Sequence, residues 1–434
     1  MMIRADRLNQ VHLSQRRDEE LMNRPRVAFV TSWDPDDVRS LSGSVYFVRK
    51  ALEAAGLDVT IVAPLTYKWR AFHEWVRRGY DKLGKEYRVE RAPIAVRHFN
   101  RQADEALRDL DVDVIFSPEA IPICRLQDPR PVVFHTDATF DGLVDYYAQF
   151  TNLPRACLHS GRAIDQAALS RCTLAIYTSE WAAETARTLY DVDPAKLRVV
   201  PLGANVTDAP PDDELAQVIA NRQSGSCELL FIAREWVRKG GPKALEIVAE
   251  LARRGRPAQL TIIGPRRDIP EHLRPIVRQL GFLSKSIPAE AAQWRKAMTD
   301  SHFLILPTEA ECFSFAAADA CAFAMPVLAT RTGGLPEVVR DGENGRLFDL
   351  KASAAHWCDC IESLLADRSR YEALCRSAST AYQERLNWQV NGAQIAAIVE
   401  EAYRGFEPRR PPASSLERRR PRARARTPLW WEPF

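Results

Sequence analysis

Short apolar runs alternate with longer amphipathic segments twice along this chain, and this repeated alternation restricts the fold more than any other feature. The runs are four to six residues long and rich in Val, Ile and Leu, and the segments between them carry apolar residues at helical spacing. Strands that alternate with helices predict an α/β fold with doubly wound parallel sheets. The predicted strands are residues 26–31, 59–62, 112–116, 131–134, 174–177 and 197–200, and then 228–232, 259–264, 303–307, 326–329 and 345–348.

The alternation is interrupted near the middle of the chain, which indicates two domains. The chain has 434 residues, too many for one ordinary core, and the polar run at 207–213 is not expected to form a core element. We predict an N-terminal arm at 1–24, a Rossmann-like domain at 25–205, a hinge at 206–226, a second Rossmann-like domain at 227–384, a last helical segment at 385–406 and a disordered Arg/Pro-rich tail at 407–434.

Charge and cysteine content exclude several classes of protein. The formal net charge is +3, which gives no sign of nucleic-acid binding. The nine Cys are scattered, only Cys358 and Cys360 lie close together, and no Cys/His set has zinc spacing. Reduced, buried thiols fit a cytoplasmic protein. We expect no secretory leader and no transmembrane helix, because the N-terminus lacks an apolar segment and no apolar run is long enough.

The segment from Pro307 to Asp319 carries the clearest chemical signal. It follows a predicted strand and opens a helix, where free amides and a partial positive charge suit a diphosphate. Two acids eight positions apart, Glu311 and Asp319, flank the start of that helix. One acid would reach a sugar and the other the ribose hydroxyls, although such spacing also arises by chance.

In this region the sequence resembles the retaining, twin-Rossmann (GT-B) glycosyltransferases of the group 1, family 4 type. The family pattern is Glu-x7-Glu, then Gly-x-Pro-Val, Gly-Gly-x-x-Glu and Asp-Gly-x-x-Gly. The matching segments here are Glu311 to Asp319, 324–327, 333–337 and 341–345. The resemblance implies an acceptor-side first domain, a nucleotide-sugar-binding second domain, and a last helix, 385–406, that returns to the first domain.

Two positions depart from the family pattern. Asp319 is one methylene shorter than the usual Glu, and Ser314 stands where Gly is usual. The resemblance implies that Glu311 lies near the hydroxyls of the transferred sugar and that Asp319 contacts the ribose. Restoring the family's length by Asp319→Glu is therefore expected to be tolerated or to tighten nucleotide binding. Phe313, Ser314 and Phe315 are expected to belong to the donor site.

Two further motifs are assigned to phosphate binding by the resemblance. Arg234 and Lys239 follow a strand as the family's Arg-x4-Lys pair, and both side chains would face the departing diphosphate. A solvated basic loop is the alternative interpretation. Gly43, in the loop before the first helix, would let the backbone approach the distal phosphate, or it is simply a turn glycine.

The acceptor side and the base are assigned less directly. His135 ends a strand where many relatives have a His near the transferred sugar, and a neutral imidazole can hydrogen-bond a hydroxyl. Alternatively, His135 has only a structural role, and Asp137 is the polar contact instead. Phe282 and Leu283 lie in a segment that resembles the one whose backbone holds the nucleotide base.

The predicted activity is transfer of a hexose from a nucleotide-diphosphate sugar to a sugar, lipid or small-molecule acceptor, with retention of configuration. No cofactor or obligatory metal is expected, so Arg234 and Lys239 would neutralise the leaving group, and Glu311 and His135 complete the catalytic set. A nucleotide-sugar epimerase of the same fold and a non-catalytic sugar-nucleotide-binding protein remain alternatives.

The composition of the tail has two interpretations, and one of them is a contact with the inner membrane. It carries eight Arg among several Pro and ends in Leu429-Trp430-Trp431 before the last three residues. Cations and Trp favour an anionic headgroup region. The alternative is a solvated, dispensable tail.

Overall fold

The computed structural model describes residues 24–222 and 225–406. The predicted arm, apart from Arg24, and the predicted tail at 407–434 lie outside the described residues. Within them, twelve strands form two six-stranded sheets in which every pairing between strands is parallel. The predicted α/β fold with two doubly wound, Rossmann-like sheets is confirmed.

The first sheet has the strand order β2-β1-β3-β4-β5-β6. Its strands are β1 (Arg26–Val30), β2 (Asp58–Val62), β3 (Val114–Ser117), β4 (Val132–Thr136), β5 (Leu174–Tyr177) and β6 (Leu197–Val199). The accompanying helices are α1 (Ser44–Ala54), α2 (Arg70–Asp81), α3 (Pro93–Leu107), α4 (Phe140–Leu143), α5 (Arg155–Arg171) and α6 (Glu180–Leu189). The order reverses between β1 and β3, and such a switch point opens a crevice at the carboxyl ends of the strands.

The second sheet has the order β12-β11-β10-β7-β8-β9, which reverses between β7 and β10. Its strands are β7 (Cys227–Ile232), β8 (Ala258–Ile263), β9 (Val277–Gly281), β10 (Phe303–Leu306), β11 (Val327–Thr330) and β12 (Gly345–Phe348). The accompanying helices are α7 (Asp212–Asn221), α8 (Gly241–Arg253), α9 (Pro288–Asp300), α10 (Phe315–Ala322), α11 (Leu335–Val338), α12 (Ala354–Ala366), α13 (Arg368–Arg385) and α14 (Trp388–Arg404). The pattern of apolar runs did not predict β9.

The central strands are buried on both faces because helices cover each sheet on two sides. All four residues of β3, β5, β10 and β11 are buried. This explains why these strands are continuous apolar runs rather than alternating ones. Each sheet carries polar residues mainly where its strands end, and there they face the space between the two domains.

The region predicted as a hinge, 206–226, contains a helix that belongs to the second domain. Residues Asp212–Asn221 form α7, and Leu215 and Ile219 pack into the core beneath β7. Three acids in the first turn of α7 favour the helix because they face its positive end. The polar run at 207–213 lies mostly before α7, so the connection between the two domains is shorter than the predicted hinge.

The last helix, α14, packs against α1 of the first domain. The ring of Trp388 stacks on Phe47 with centroids 5.7 Å apart. Gly392 lets the two helices meet closely, since a Cβ at this position would lie 2.8 Å from the Cβ of Ala51. The chain therefore crosses between the domains twice, once before α7 and once before α14.

Candidate functional site

A cleft of about 680 Å³ lies between the two sheets, at the carboxyl ends of their strands. The loops that follow β7 and β10 meet there, at the switch point of the second sheet, where α/β proteins commonly bind ligands. The structure brings together nine of the eleven predicted site residues as cleft lining, namely His135, Arg234, Lys239, Phe282, Leu283, Glu311, Phe313, Phe315 and Asp319. Gly43 and Ser314 are buried and do not line the cleft.

Glu311 is the centre of a buried charge cluster in the cleft. Its side chain is buried, the Lys239 ammonium forms an ion pair with its carboxylate, and Nη1 of Arg238 lies 3.7 Å from the same oxygen. Lys239 follows β7 and Glu311 follows β10, so the pair joins the two loops at the switch point. A buried carboxylate is expected to depend strongly on such partners.

Arg238 was not predicted to be a site residue, although it precedes Lys239 in the sequence. Its guanidinium donates to the carbonyl oxygen of Ala310 at 2.6 Å and lies over the ring of Tyr147, 4.6 Å from the centroid. Arg234, by contrast, is exposed on the cleft wall, and no ion pair or hydrogen bond of its side chain occurs within residues 24–222 and 225–406. Arg234 is thus the cation that remains available for a ligand.

Two tyrosines of the first domain hold the Glu311 loop from across the cleft. The hydroxyl of Tyr146 accepts from the Glu311 amide at 2.8 Å, and the hydroxyl of Tyr147 accepts from the Cys312 amide at 3.1 Å. Gly333 must be a glycine here, because its φ is +50° and a Cβ would lie 2.2 Å from the Tyr146 hydroxyl. The sequence pattern gave no indication of these tyrosines.

The start of α10 presents backbone amides to the cleft. Ser314 is buried, and its hydroxyl accepts from the Ala317 amide at 3.4 Å, so it caps the helix rather than facing a ligand. Phe313 and Phe315 pack edge to face, with centroids 5.4 Å apart, and both line the cleft. The helix start therefore provides the partial positive charge that suits a phosphate.

Asp319, in the second turn of α10, already has two partners. One carboxylate oxygen accepts from the ammonium of Lys285 at 2.6 Å, and the other accepts from the Asn205 amide at 2.7 Å. Lys285 also donates to the Asn205 carbonyl oxygen at 2.9 Å and lies 4.0 Å from the centroid of Trp294. Neither Lys285 nor Asn205 was predicted as part of the site.

Asn205 also touches the glycine loop of the first domain. Its Nδ2 donates to the carbonyl oxygen of Ser42 at 3.0 Å, and its Oδ1 accepts from the indole of Trp388 at 3.3 Å. Gly43 has φ +92°, and a Cβ there would lie 3.1 Å from Asn205 Nδ2. The glycine is required by conformation and by space, while its neighbours Ser42 and Ser44 line the cleft.

His135 and Asp137 bring two groups with shifted pKa values to the first-domain side. Burial lowers the pKa of His135 to about 4, so its imidazole is neutral near pH 7. Its Nε2 is buried and has no hydrogen-bond partner among the described residues. Asp137 is reached by solvent from the cleft, yet it lies deep between the domains, and this enclosure together with the charge of Glu311 raises its pKa to about 6.

Glu119 is a further cleft residue that was not predicted from the sequence. It follows β3 at the switch point of the first sheet, where its carboxylate accepts from the Thr31 hydroxyl at 2.7 Å and from the Ser32 amide at 2.5 Å. Burial raises the pKa of Glu119, and these hydrogen bonds oppose the shift. Its position after a strand is the signal that could have found it.

Phe282 and Leu283 follow β9 at the outer edge of the second sheet. Phe282 is 62% exposed, and both residues line the cleft on the side of Lys285. An exposed aromatic ring there offers a flat surface for a ligand ring. Within residues 24–222 and 225–406, no group of three His, Cys, Asp or Glu is placed to hold a metal ion, and no helix has the length and apolarity needed to cross a bilayer.

Comparisons with known proteins give one family match for each of the two domains. Residues 226–367 match the family described as glycosyl transferases group 1, and residues 43–208 match glycosyltransferase family 4. The first match covers the whole of the second sheet, and the second match covers β2 to β6. The chain belongs to the group 1 glycosyltransferases with the GT-B fold.

Similar proteins include two that are named D-inositol 3-phosphate glycosyltransferase. That of Corynebacterium kroppenstedtii is 29% identical over 231 residues, covering 50% of this chain and 50% of the relative. That of Corynebacterium efficiens is 28% identical over 292 residues, covering 63% of this chain and 66% of the relative. The chain thus spans between half and two thirds of the length of these curated relatives.

Solved structures show the same fold at low sequence identity. Sucrose-phosphate synthase from Thermosynechococcus elongatus superposes with a TM-score of 0.63 and 18% identity, covering 88% of this chain and 100% of that one. Anabaena Alr3699/HepE in complex with UDP and glucose gives a TM-score of 0.55 and 16% identity, covering 86% and 98%.

Proposed function

We propose that this protein is a glycosyltransferase that moves a hexose from a nucleotide-diphosphate sugar to a hydroxyl of an acceptor, with retention of configuration. The observation that carries the proposal is the cluster of Glu311, Lys239 and Arg238 at the switch point of the second sheet, facing His135 across the cleft. The similar proteins support the class of substrate, because the curated relatives are named glycosyltransferases and a structural neighbour holds UDP.

The second domain supplies the groups that would bind the leaving diphosphate. Arg234 is exposed on the cleft wall, and the amides at the start of α10 carry partial positive charge. Fixed positive charge aimed at a departing diphosphate stabilises the charge that develops in the transition state. The proposal needs no metal for this task, since these cations and amides would face the phosphates. Lys239 has two roles: its positive charge adds to the electrostatic potential of the cleft, and its ion pair holds Glu311 in position.

The first domain would position the transferred sugar and the acceptor. Neutral His135 has a ring nitrogen free to hydrogen-bond a sugar hydroxyl, and Asp137, with its raised pKa, can donate or accept a proton near pH 6. Glu311 is occupied by Lys239 and Arg238, so its role is to orient hydroxyls rather than to attack the anomeric carbon. We therefore favour reaction on the front face of the sugar within the closed cleft, which would also exclude water.

The first experiment is a thermal-shift screen with nucleoside diphosphates and their sugars on the full chain. Stabilisation by one base, and further stabilisation by one of its sugar conjugates, would identify the donor. Incubation with that donor and candidate acceptors, including free and phosphorylated inositol, then tests transfer, and NMR of the product gives the anomeric configuration. An inverted product would contradict the proposed stereochemistry.

The same assay separates the two alternatives. An epimerase would convert the nucleotide sugar into its epimer without any acceptor, and this product is visible by NMR. A non-catalytic binding protein would be stabilised by the donor yet consume none of it, with or without acceptor. Absence of stabilisation by every nucleotide would contradict the proposed donor site itself.

A further inference from the structure

Four large apolar side chains stand out from the first domain within one short segment. Trp69, Phe72, Trp75 and Leu83 are 63%, 55%, 71% and 74% exposed, and we name them the aromatic face. Phe72 and Trp75 lie on α2, Trp69 precedes it and Leu83 follows it. With about 100° of rotation per helical residue, Trp69, Phe72 and Trp75 fall within one third of the helix circumference. Single exposed apolar residues are common, but such a group marks a binding surface.

The remaining sides of α2 explain why this face points outward. His73 is buried, and its Nδ1 lies 3.1 Å from the hydroxyl of Tyr87, while Tyr80 stacks on Tyr87 with centroids 5.1 Å apart. These contacts anchor the helix to the domain through another side. The aromatic face is therefore not the part of α2 that packs onto the protein.

The charges around α2 are arranged unequally. The segment from Lys68 to Lys85 contains six Lys and Arg and two acids. Both acids are paired with Arg77, since its guanidinium lies 2.5 Å from Glu74 and 2.8 Å from Asp81. The acids lie on the side of the helix opposite the aromatic face, so they do not neutralise the cations beside it.

The cations near the aromatic face are exposed and have no acidic partner in the described part of the chain. They are Lys68, Arg78 and Lys82. Long cationic side chains beside Trp and Phe match the region of lipid headgroups, where rings insert at the acyl boundary and cations meet phosphates. A second copy of the chain would gain from the aromatic rings, but it would bring the same positive charges face to face.

We propose that the aromatic face and its flanking cations dock this protein onto an anionic lipid surface. The surface lies beside the cleft, because α2 packs against the short turn Val89–Arg91, and Arg88, Glu90 and Arg91 line the first-domain wall. The proposal rests on exposure and charge within the described residues and is independent of the transferase activity. It also differs from a contact through the basic tail.

Co-sedimentation of the full chain with vesicles tests the proposal. The probes are vesicles of phosphatidylcholine alone and vesicles in which phosphatidylglycerol replaces part of it. We expect binding to the anionic vesicles, weaker binding at higher salt because the cations are screened, and little binding to phosphatidylcholine alone.

Three variants of the full chain locate the contact. The double variant Phe72→Ser/Trp75→Ser removes two exposed rings and is expected to lower the partition coefficient at least about tenfold. Lys68→Glu/Lys82→Glu reverses two flanking charges and is expected to remove most of the preference for anionic lipid. Leu350→Ser is the matched control, because it removes an apolar side chain that is 52% exposed on the second domain.

The outcomes separate lipid docking from its competitors. Unchanged vesicle binding by the double variant, with circular dichroism confirming its fold, would overturn the proposal and assign the contact elsewhere, including to the tail. A chain that binds no vesicles but forms a dimer in light scattering, with Phe72→Ser/Trp75→Ser monomeric, would show that a second copy covers the face. Equal losses in Leu350→Ser and the double variant would also overturn it.

Discussion

Replacing Lys239 by Ala is expected to have two separable effects, one on stability and one on turnover. The Lys239 and Glu311 side chains are only 15% and 6% exposed, so the variant leaves a buried carboxylate without its nearest cation. Breaking a buried pair in this way typically costs about 3–5 kcal/mol. Arg238, at 3.7 Å from Glu311, compensates in part, and we expect a loss of about 3 kcal/mol in the free energy of unfolding.

Arg234→Ala is the matched control, because Arg234 faces the same cleft but is exposed and unpaired among the described residues. We expect its stability to stay within about 0.5 kcal/mol of wild type. Both variants should nevertheless slow transfer about a hundredfold or more, since each removes a cation that faces the diphosphate. Glu311→Gln should abolish transfer nearly completely, and added to Lys239→Ala it should recover stability, because the uncompensated charge is gone.

Urea unfolding followed by circular dichroism measures stability, and initial rates with the identified donor measure turnover. Equal stability of Lys239→Ala and wild type would refute the buried pair as the structural role of Lys239. Wild-type transfer by both Arg234→Ala and Lys239→Ala would refute the assignment of the diphosphate site. If the stability loss in Lys239→Ala/Glu311→Gln equals the sum of the losses in the two single variants, Lys239 and Glu311 act independently.

Three further predictions concern pH, the second acid and the tail. The pKa of His135 is about 4 in the folded protein and 6.5 ordinarily, so its contribution to the free energy of unfolding is complete above pH 6.5. This contribution falls by about 3 kcal/mol as the pH drops to 4. In acid unfolding, His135→Asn should not show this loss of about 3 kcal/mol. Asp319→Glu should weaken nucleotide-diphosphate binding about tenfold in calorimetry, since overpacking costs about 1–3 kcal/mol, and Lys285→Ala should recover part of it. Truncation after Phe406 should leave transfer to a water-soluble acceptor unchanged, whereas a tail that tethers the protein would make the truncated chain bind anionic vesicles less well.

The strands that could be predicted from the sequence are those whose burial is complete. Central strands such as β10 and β11 are continuous apolar runs because helices cover both faces. Strand β9 was missed because it is the edge of its sheet and its side chains are only partly buried, with Arg278 and Gln279 in its middle. Helix α7 was not predicted, because the three acids of its first turn resemble the composition of a polar linker.

The site shows the same division between local and distant information. The residues after β7 and β10 could be placed in a cleft because parallel strands end at one edge of a sheet. Tyr146 and Lys285 could not be predicted, because each contacts a partner far away in sequence. Tyr146 meets the Glu311 loop 165 residues further on, and Lys285 meets Asp319 across 34 residues. Such pairs leave no pattern in a single sequence.

The short acid at position 319 is explained by what surrounds it. Its two oxygens lie 2.6 Å from the Lys285 ammonium and 2.7 Å from the Asn205 amide, so a longer side chain would have to displace at least one of these partners. Withdrawal of Lys285 would also give up its contact with Trp294, whose ring centroid lies 4.0 Å away. We therefore expect the family's usual Glu to fit poorly here, whereas the resemblance alone predicts that it is tolerated or tightens nucleotide binding. Since Asn205 also holds the loop of Gly43 through Ser42, Asp319 links the expected ribose position to the connection between the two domains.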